Sequence, residues 1–175
     1  GAPWNLHDSP RFPHRGLMID LSRHFQPLAS IRSIIDSLAY AKLNVLHMHM
    51  SDEQSFPMES KTYPKLWDAA FSEQERYTQA DLASVVEYAR LRGVRAMIEF
   101  DVPGHAKAMC KGYPEVCTAC TSQRGSTLPL NPSRNATFQL MASLLTEVTG
   151  GSASTVGDPK GLFPGNMILL GGDEV

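Results

Sequence analysis

Two adjacent carboxylates, Asp173 and Glu174, follow an apolar run, Met167-Ile168-Leu169-Leu170, and a glycine pair, Gly171-Gly172. The run reads as a buried strand, and the glycines let the backbone turn sharply at its end. A carboxyl pair at that place suits acid catalysis on a glycosidic bond. Three more predicted strand ends carry polar groups: Arg23 and His24, then Asp52 and Glu53, then Asp101 and His105. One Asp after a strand is ordinarily a turn or helix cap. Four strand ends equipped in this way are harder to explain as caps.

The elements that must position these groups alternate along the chain. Residues 1–15, rich in Pro and His, read as an irregular lead-in. Strands are predicted at 16–21, 44–49, 94–100 and 167–170. The first helix opens with Pro27 at a first-turn position, and Ile31, Ile34, Ile35, Leu38 and Ala39 recur at helical spacing through about Lys42. Thr78, with Asp81 three residues on, caps the second, whose stripe is Leu82, Val85, Val86 and Ala89; Gly93 stops it. The third is expected from a cap at Asn131 and a first-turn Pro132, through Phe138, Met141, Leu144, Leu145 and Val148, to Gly150-Gly151. Long loops are expected at 50–77 and after the third strand.

This β-α-β-α-β-α-β order implies right-handed crossovers and a parallel sheet. No G-x-G-x-x-G follows the first strand, which disfavours a nucleotide-binding open sheet. The long connections lie at the carboxyl ends of strands, where an eight-stranded barrel builds its site. The fold class is therefore α/β: about the first four βα units of a (β/α)8 TIM barrel, in which the strand ends converge on one pocket.

Apolar residues make up 42% of the 175 and charged residues 19%, with a net charge of −2, so the chain is globular and has no basic face for nucleic acid or an anionic membrane. Apolar stretches fall far short of the ~20 residues that span a bilayer. No N-terminal apolar block reads as a signal peptide. Cys110, Cys117 and Cys120 are spaced C-x6-C-x2-C. A zinc site would want a fourth ligand, so one local disulfide is expected, with one cysteine left over, available to a segment outside this chain.

Five ordered stretches carry a resemblance: Arg15-Gly16-Leu17-Met18-Ile19-Asp20-Leu21-Ser22-Arg23-His24-Phe25, Ala39-Tyr40-Ala41-Lys42-Leu43-Asn44-Val45-Leu46-His47-Met48-His49, Asp52-Glu53-Gln54-Ser55-Phe56-Pro57, Glu99-Phe100-Asp101-Val102-Pro103-Gly104-His105 and Gly171-Gly172-Asp173-Glu174. Together they resemble the family-twenty glycoside hydrolases, the β-N-acetylhexosaminidases, from about Arg11 to Val175. The resemblance implies retaining hydrolysis of terminal N-acetylglucosamine or N-acetylgalactosamine without an enzyme nucleophile, the substrate's own acetamido oxygen forming an oxazolinium. Glu174 would be the general acid and then base, Asp173 would orient the acetamido group, Asp52 and His105 would hold Glu174 in a relay, and Arg23 would grip sugar hydroxyls. It implies a glycoconjugate or chitooligosaccharide as partner, no cofactor, no metal, no nucleic acid, no membrane insertion, a lysosomal or secreted location, and allows a homodimer of the full-length protein.

Departures from the family pattern are Met48 for Trp, Glu53 for a second Asp, Val102 for Thr, and Ala106-Lys107-Ala108; these are expected to alter the pocket wall. Residues 16–175 would be the N-terminal half of the catalytic barrel, stopping after the fourth strand. A whole barrel needs about 250 residues, so the chain alone is expected to be inactive and poorly soluble. Two alternatives stand beside the enzyme: a non-catalytic carbohydrate-binding remnant, and a metal-dependent barrel hydrolase using His47 and His49, which share a strand face. Arg15 reads as structural, bonded to a carboxylate at the barrel rim. Glu99 and Asp101 read as satisfying buried backbone donors. Asn135-Ala136-Thr137 is a glycosylation sequon on a predicted helix.

Overall fold

The computed structural model describes residues 2–118, 129–150, 161–164 and 167–172. Four strands, β1 (Gly16–Asp20), β2 (Val45–His49), β3 (Arg95–Phe100) and β4 (Leu169–Leu170), pair in that order, every pair parallel. Helices α1 (Leu28–Tyr40), α2 (Gln79–Arg90), α3 (Lys107–Gly112) and α4 (Asn135–Thr149) fill the connections. The arrangement is that of a partial barrel. None of the described helices is long and apolar enough to cross a membrane.

Strand parity separates the two faces of the sheet. Leu46 and Met48 of β2, and Ala96, Ile98 and Phe100 of β3, join Ile31, Ile35 and Leu38 of α1 and Leu82, Val85 and Ala89 of α2 in one buried core. The alternate residues, His47 and His49, Met97 and Glu99, therefore lie on the face turned away from the helices. Burial rather than capping forms α4. No side chain caps its start; Leu140, Leu144 and Val148 are fully buried, and about 1.5–3 kcal/mol for each outweighs the roughly 1 kcal/mol of a cap.

Local signals set most helix ends. Thr78 and Asp81 form a reciprocal capping box at α2, and Gly93, with φ +70°, follows its end. Pro27 lies one position earlier than expected: it is the N-cap of α1, in extended conformation. The expected cap at Asn131 closes a separate turn instead, accepting from the Ser133 N–H (2.9 Å) and hydroxyl (2.7 Å). Such local side-chain bonds compete with the helix, which starts only at Asn135. The loops are more ordered than expected. The first holds a 3-10 segment, Pro64–Ala69, and a Met58–Tyr77 bridge; the second holds α3 and a 3-10 turn, Pro114–Val116. Glu147 of α4 fastens the first loop and the start of α2, accepting from the Ser60 hydroxyl, the Lys61 N–H and the Gln79 amide. Cys110 and Cys117 form the local disulfide, with Cα atoms 5.8 Å apart; Cys120 lies outside the described residues.

The end of α1 is unusual in residue type. Lys42 N–H donates to Ala39 O (3.2 Å) and Leu43 N–H to Leu38 O (2.9 Å), the paired bonds of a Schellman ending. Lys42 occupies the left-handed position, φ +59°, where glycine is usual. Its ion pair with Asp8 is solvent-exposed and screened by salt. Lys42→Gly should therefore stabilise the domain by about 1 kcal/mol, since a non-glycine residue there costs roughly 1–2 kcal/mol. Thermal denaturation checks this; a lower midpoint would contradict it.

Candidate active site

The parallel register aligns Asp20 of β1 with His49 of β2, and His49 with Glu99 of β3. These three side chains form a row at the carboxyl ends of the strands, on the face away from the helices. His49 Nδ1 lies 3.1 Å from Glu99 Oε2, and its Nε2 lies 3.1 Å from Asp52 Oδ2. His47 Nε2 contacts the same Glu99 oxygen. Asp52 follows β2 in a loop and is 1% exposed.

Arg23 reaches the same carboxylate from the end of β1. Its Nη2 is 2.7 Å from Asp52 Oδ2 and its Nη1 is 2.8 Å from Asp20 Oδ2. Asp20 also accepts from the Ser22 and Arg23 N–H groups, at 3.0 and 2.9 Å, so it fixes the segment that carries the guanidinium. From the connection after β3 comes His105, whose Nδ1 lies 3.3 Å from Asp52 Oδ1 and 3.3 Å from Arg23 Nη2. His105 has φ +47°, a left-handed conformation that costs a bulky residue roughly 1–2 kcal/mol.

The glycine pair has two distinct jobs. A Cβ on Gly171 would sit 1.8 Å from Asp101 Oδ1 and 2.8 Å from Asp101 Cα. Gly172 has φ +140°, and its N–H donates to Asp101 Oδ1 at 2.9 Å. Asp101 thus ties the start of the carboxylate segment to the end of β3. Asp173 and Glu174 lie outside the described residues.

The conserved-domain model for glycosyl hydrolase family 20, catalytic domain, matches residues 12–175. The chain belongs to that family. It is 44% identical over 174 residues to β-hexosaminidase 1 of Arabidopsis thaliana, covering 99% of this chain and 29% of that protein. It is 43% identical over 172 residues to the β-hexosaminidase subunit beta of Felis catus, covering 96% of this chain and 30% of that one. Among solved structures, a family-20 exo-β-N-acetylglucosaminidase from Vibrio harveyi, in complex with N-acetylglucosamine, superposes with a TM-score of 0.81 at 29% identity, covering 96% of this chain and 28% of that chain. The chain thus spans under a third of each.

Of the residues expected to act in this family-20 domain, Arg23, Asp52 and His105 come together. The sequence reading gave Asp20 no role and took His49 only as a metal ligand of the alternative hydrolase; the strand register sets it between Asp20 and Glu99. Glu99 is corrected: it faces two imidazoles rather than backbone donors, because its strand parity turns it to the polar face. Asp101 does satisfy a backbone N–H, that of Gly172. Arg15 is corrected too. Its guanidinium donates to the carbonyls of Lys42 and Phe12 (2.7 and 2.6 Å) before β1, at the rim opposite the site, and not to a carboxylate. Two departures from the family pattern miss the pocket wall: Met48 is fully buried and Ala106 is 1% exposed, both in the core. Glu53 and Lys107, with Phe71 and Lys111, line a cavity of about 520 Å³ beside Asp52.

Charge balance keeps the cluster in place. Asp20, His49 and Asp52 offer ligand atoms close enough together for a cation, and the guanidinium of Arg23 sits against both of these carboxylates. Burial opposes charge on His49, but its bonds to Glu99 and Asp52 outweigh that and raise its pKa. Burial likewise opposes charge on Asp20, yet the Arg23 and Ser22 bonds, with the nearby His49, lower its pKa. His49 therefore adds stability that is complete below about pH 6.5 and lost as pH rises through its raised pKa. Asp20 adds stability present above about pH 3.9 and lost as pH falls through its lowered pKa. Both are in place at mildly acidic pH.

Gly171→Ala should cost the folded domain about 3 kcal/mol, the upper end for overpacking. Gly93→Ala, where a Cβ meets nothing within 4 Å, should cost only the roughly 1 kcal/mol of a left-handed residue. Equal losses in denaturant titrations would refute the tight approach of β4 to Asp101.

Proposed function

We propose that the full-length protein containing this domain removes terminal non-reducing N-acetylglucosamine or N-acetylgalactosamine from glycans or chitin oligomers. The acetamido oxygen of the substrate attacks the anomeric carbon while Glu174 gives its proton to the departing glycosidic oxygen. The products of this step are the free aglycone and an oxazolinium ion. The Glu174 carboxylate then takes a proton from water, whose oxygen attacks the same carbon and reopens the ring with retained configuration. Asp173 orients the acetamido group and stabilises the charge that develops on it. Asp52 and His105 hold Glu174, and Arg23 binds sugar hydroxyls through its planar fork.

One observation carries this reading. Arg23, Asp52 and His105, drawn from three strand ends, lie within contact distance of one another. Asp101, at the same rim, binds Gly172, one residue before Asp173. Family membership and the sugar-bound Vibrio harveyi relative support it. A lysosomal or secreted location and a homodimer belong to the same proposal; the Cys110–Cys117 disulfide supports an oxidising compartment.

In the full-length protein, Glu174→Gln should lower kcat on an aryl N-acetyl-β-glucosaminide by about 10²–10⁴-fold. The plain aryl β-glucoside, which has no acetamido nucleophile, should hardly be cleaved. Comparable rates on the two substrates would sink the substrate-assisted mechanism, and loss of activity on chelation would favour a metal-dependent hydrolase.

A further inference from the structure

Asp52 is gripped differently at its two oxygens. Oδ2 meets Arg23 Nη2 (2.7 Å) and His49 Nε2 (3.1 Å); Oδ1 meets the Glu53 N–H (2.6 Å) and His105 Nδ1 (3.3 Å). His49 is buried, and each of its ring nitrogens faces a carboxylate oxygen, Asp52 on one side and Glu99 on the other. Ionised carboxylates only accept hydrogen bonds, so a ring that serves both must donate from both nitrogens, and it is then the imidazolium.

We propose that His49, held by Glu99, is a positioning residue that fixes which oxygen of Asp52 meets His105. Its N–H occupies Oδ2 beside Arg23 and leaves Oδ1 to the His105 ring. The inference rests on the reading of Asp52 and His105 under Proposed function. The chain of contacts then extends from His105 through Asp52 and His49 to Glu99, with His47 on the same Glu99 oxygen as His49. Asp20 from β1 and Asp101 after β3 are the other charged groups that face His49, with Arg23 beyond Asp52. Four carboxylates thus surround the ring, which keeps it protonated to higher pH than an ordinary histidine.

The test compares His49→Gln and Glu99→Gln in the full-length protein, with kcat and KM followed across pH. Gln at 49 can bond one carboxylate but carries no charge, so kcat should fall about 10–100-fold, part of what a positioned proton-transfer group supplies, with KM within about threefold. Glu99→Gln removes one anion, so the alkaline limb of kcat should move to lower pH. A folded His49→Gln enzyme with wild-type kcat and an unmoved pH profile would overturn the proposal. Wild type and Glu174→Gln run beside them. If Glu174→Gln is inactive while His49→Gln is normal, only the His49 role falls; if Glu174→Gln keeps full activity, the parent reading falls and takes this one with it. Should neither variant fold, nitrogen NMR of the wild-type His49 ring decides. An imidazolium at about pH 7 supports the proposal, and a neutral ring at that pH overturns it.

Discussion

The buried carboxylate of Asp52 is the constraint on which this domain is built. At 1% exposure its charge would be ruinous without compensation. That compensation cannot be local: Arg23 arrives from the end of β1, His49 from β2, and His105 from the connection after β3. Only strands that run parallel, in a register that brings Asp20, His49 and Glu99 level, deliver all three at once. Packing and chemistry thus make the same demand on the sheet. Slipping β2 by one residue would carry Met48 to the polar face and His49 into the core, which would lose on both counts.

Alternation along β2 and β3 divides the work of a few residues. One face supplies Leu46, Met48, Ile98 and Phe100 to the core; the other supplies His47, His49 and Glu99 to the cluster. This explains why a substitution beside the two histidines can fall in the core. Met48 stands between His47 and His49 in sequence, yet it is fully buried on the opposite side. Glu53 and Lys107, by contrast, open onto a cavity that Phe71 and Lys111 also line.

Much of this was legible in the sequence because it is local. Short apolar runs marked all four strands, and a capping pair and a glycine marked both ends of α2. The gathering of Arg23, Asp52 and His105 followed from a topological rule about strand ends. What was missed depends on register, which no single segment encodes. Nothing near Glu99 in sequence announces that two imidazoles from β2 will meet it, and nothing near Arg15 announces the carbonyl of Lys42. At Asn131 two local options competed, and its own turn with Ser133 prevailed over capping a helix. The glycine pair was read as a turn; only the approach of Asp101 reveals that Gly171 is required by space and Gly172 by conformation.

The left-handed backbone of His105 has an evolutionary consequence. A residue kept in an unfavourable conformation persists only when something other than robustness maintains it. Random mutagenesis selected for heat resistance alone would be drawn to position 105, where glycine or asparagine relaxes the main chain. Such winners would be sturdier and would have discarded the ring that faces Asp52. Durability and use compete there for a single residue, so improving this domain means finding extra rigidity elsewhere.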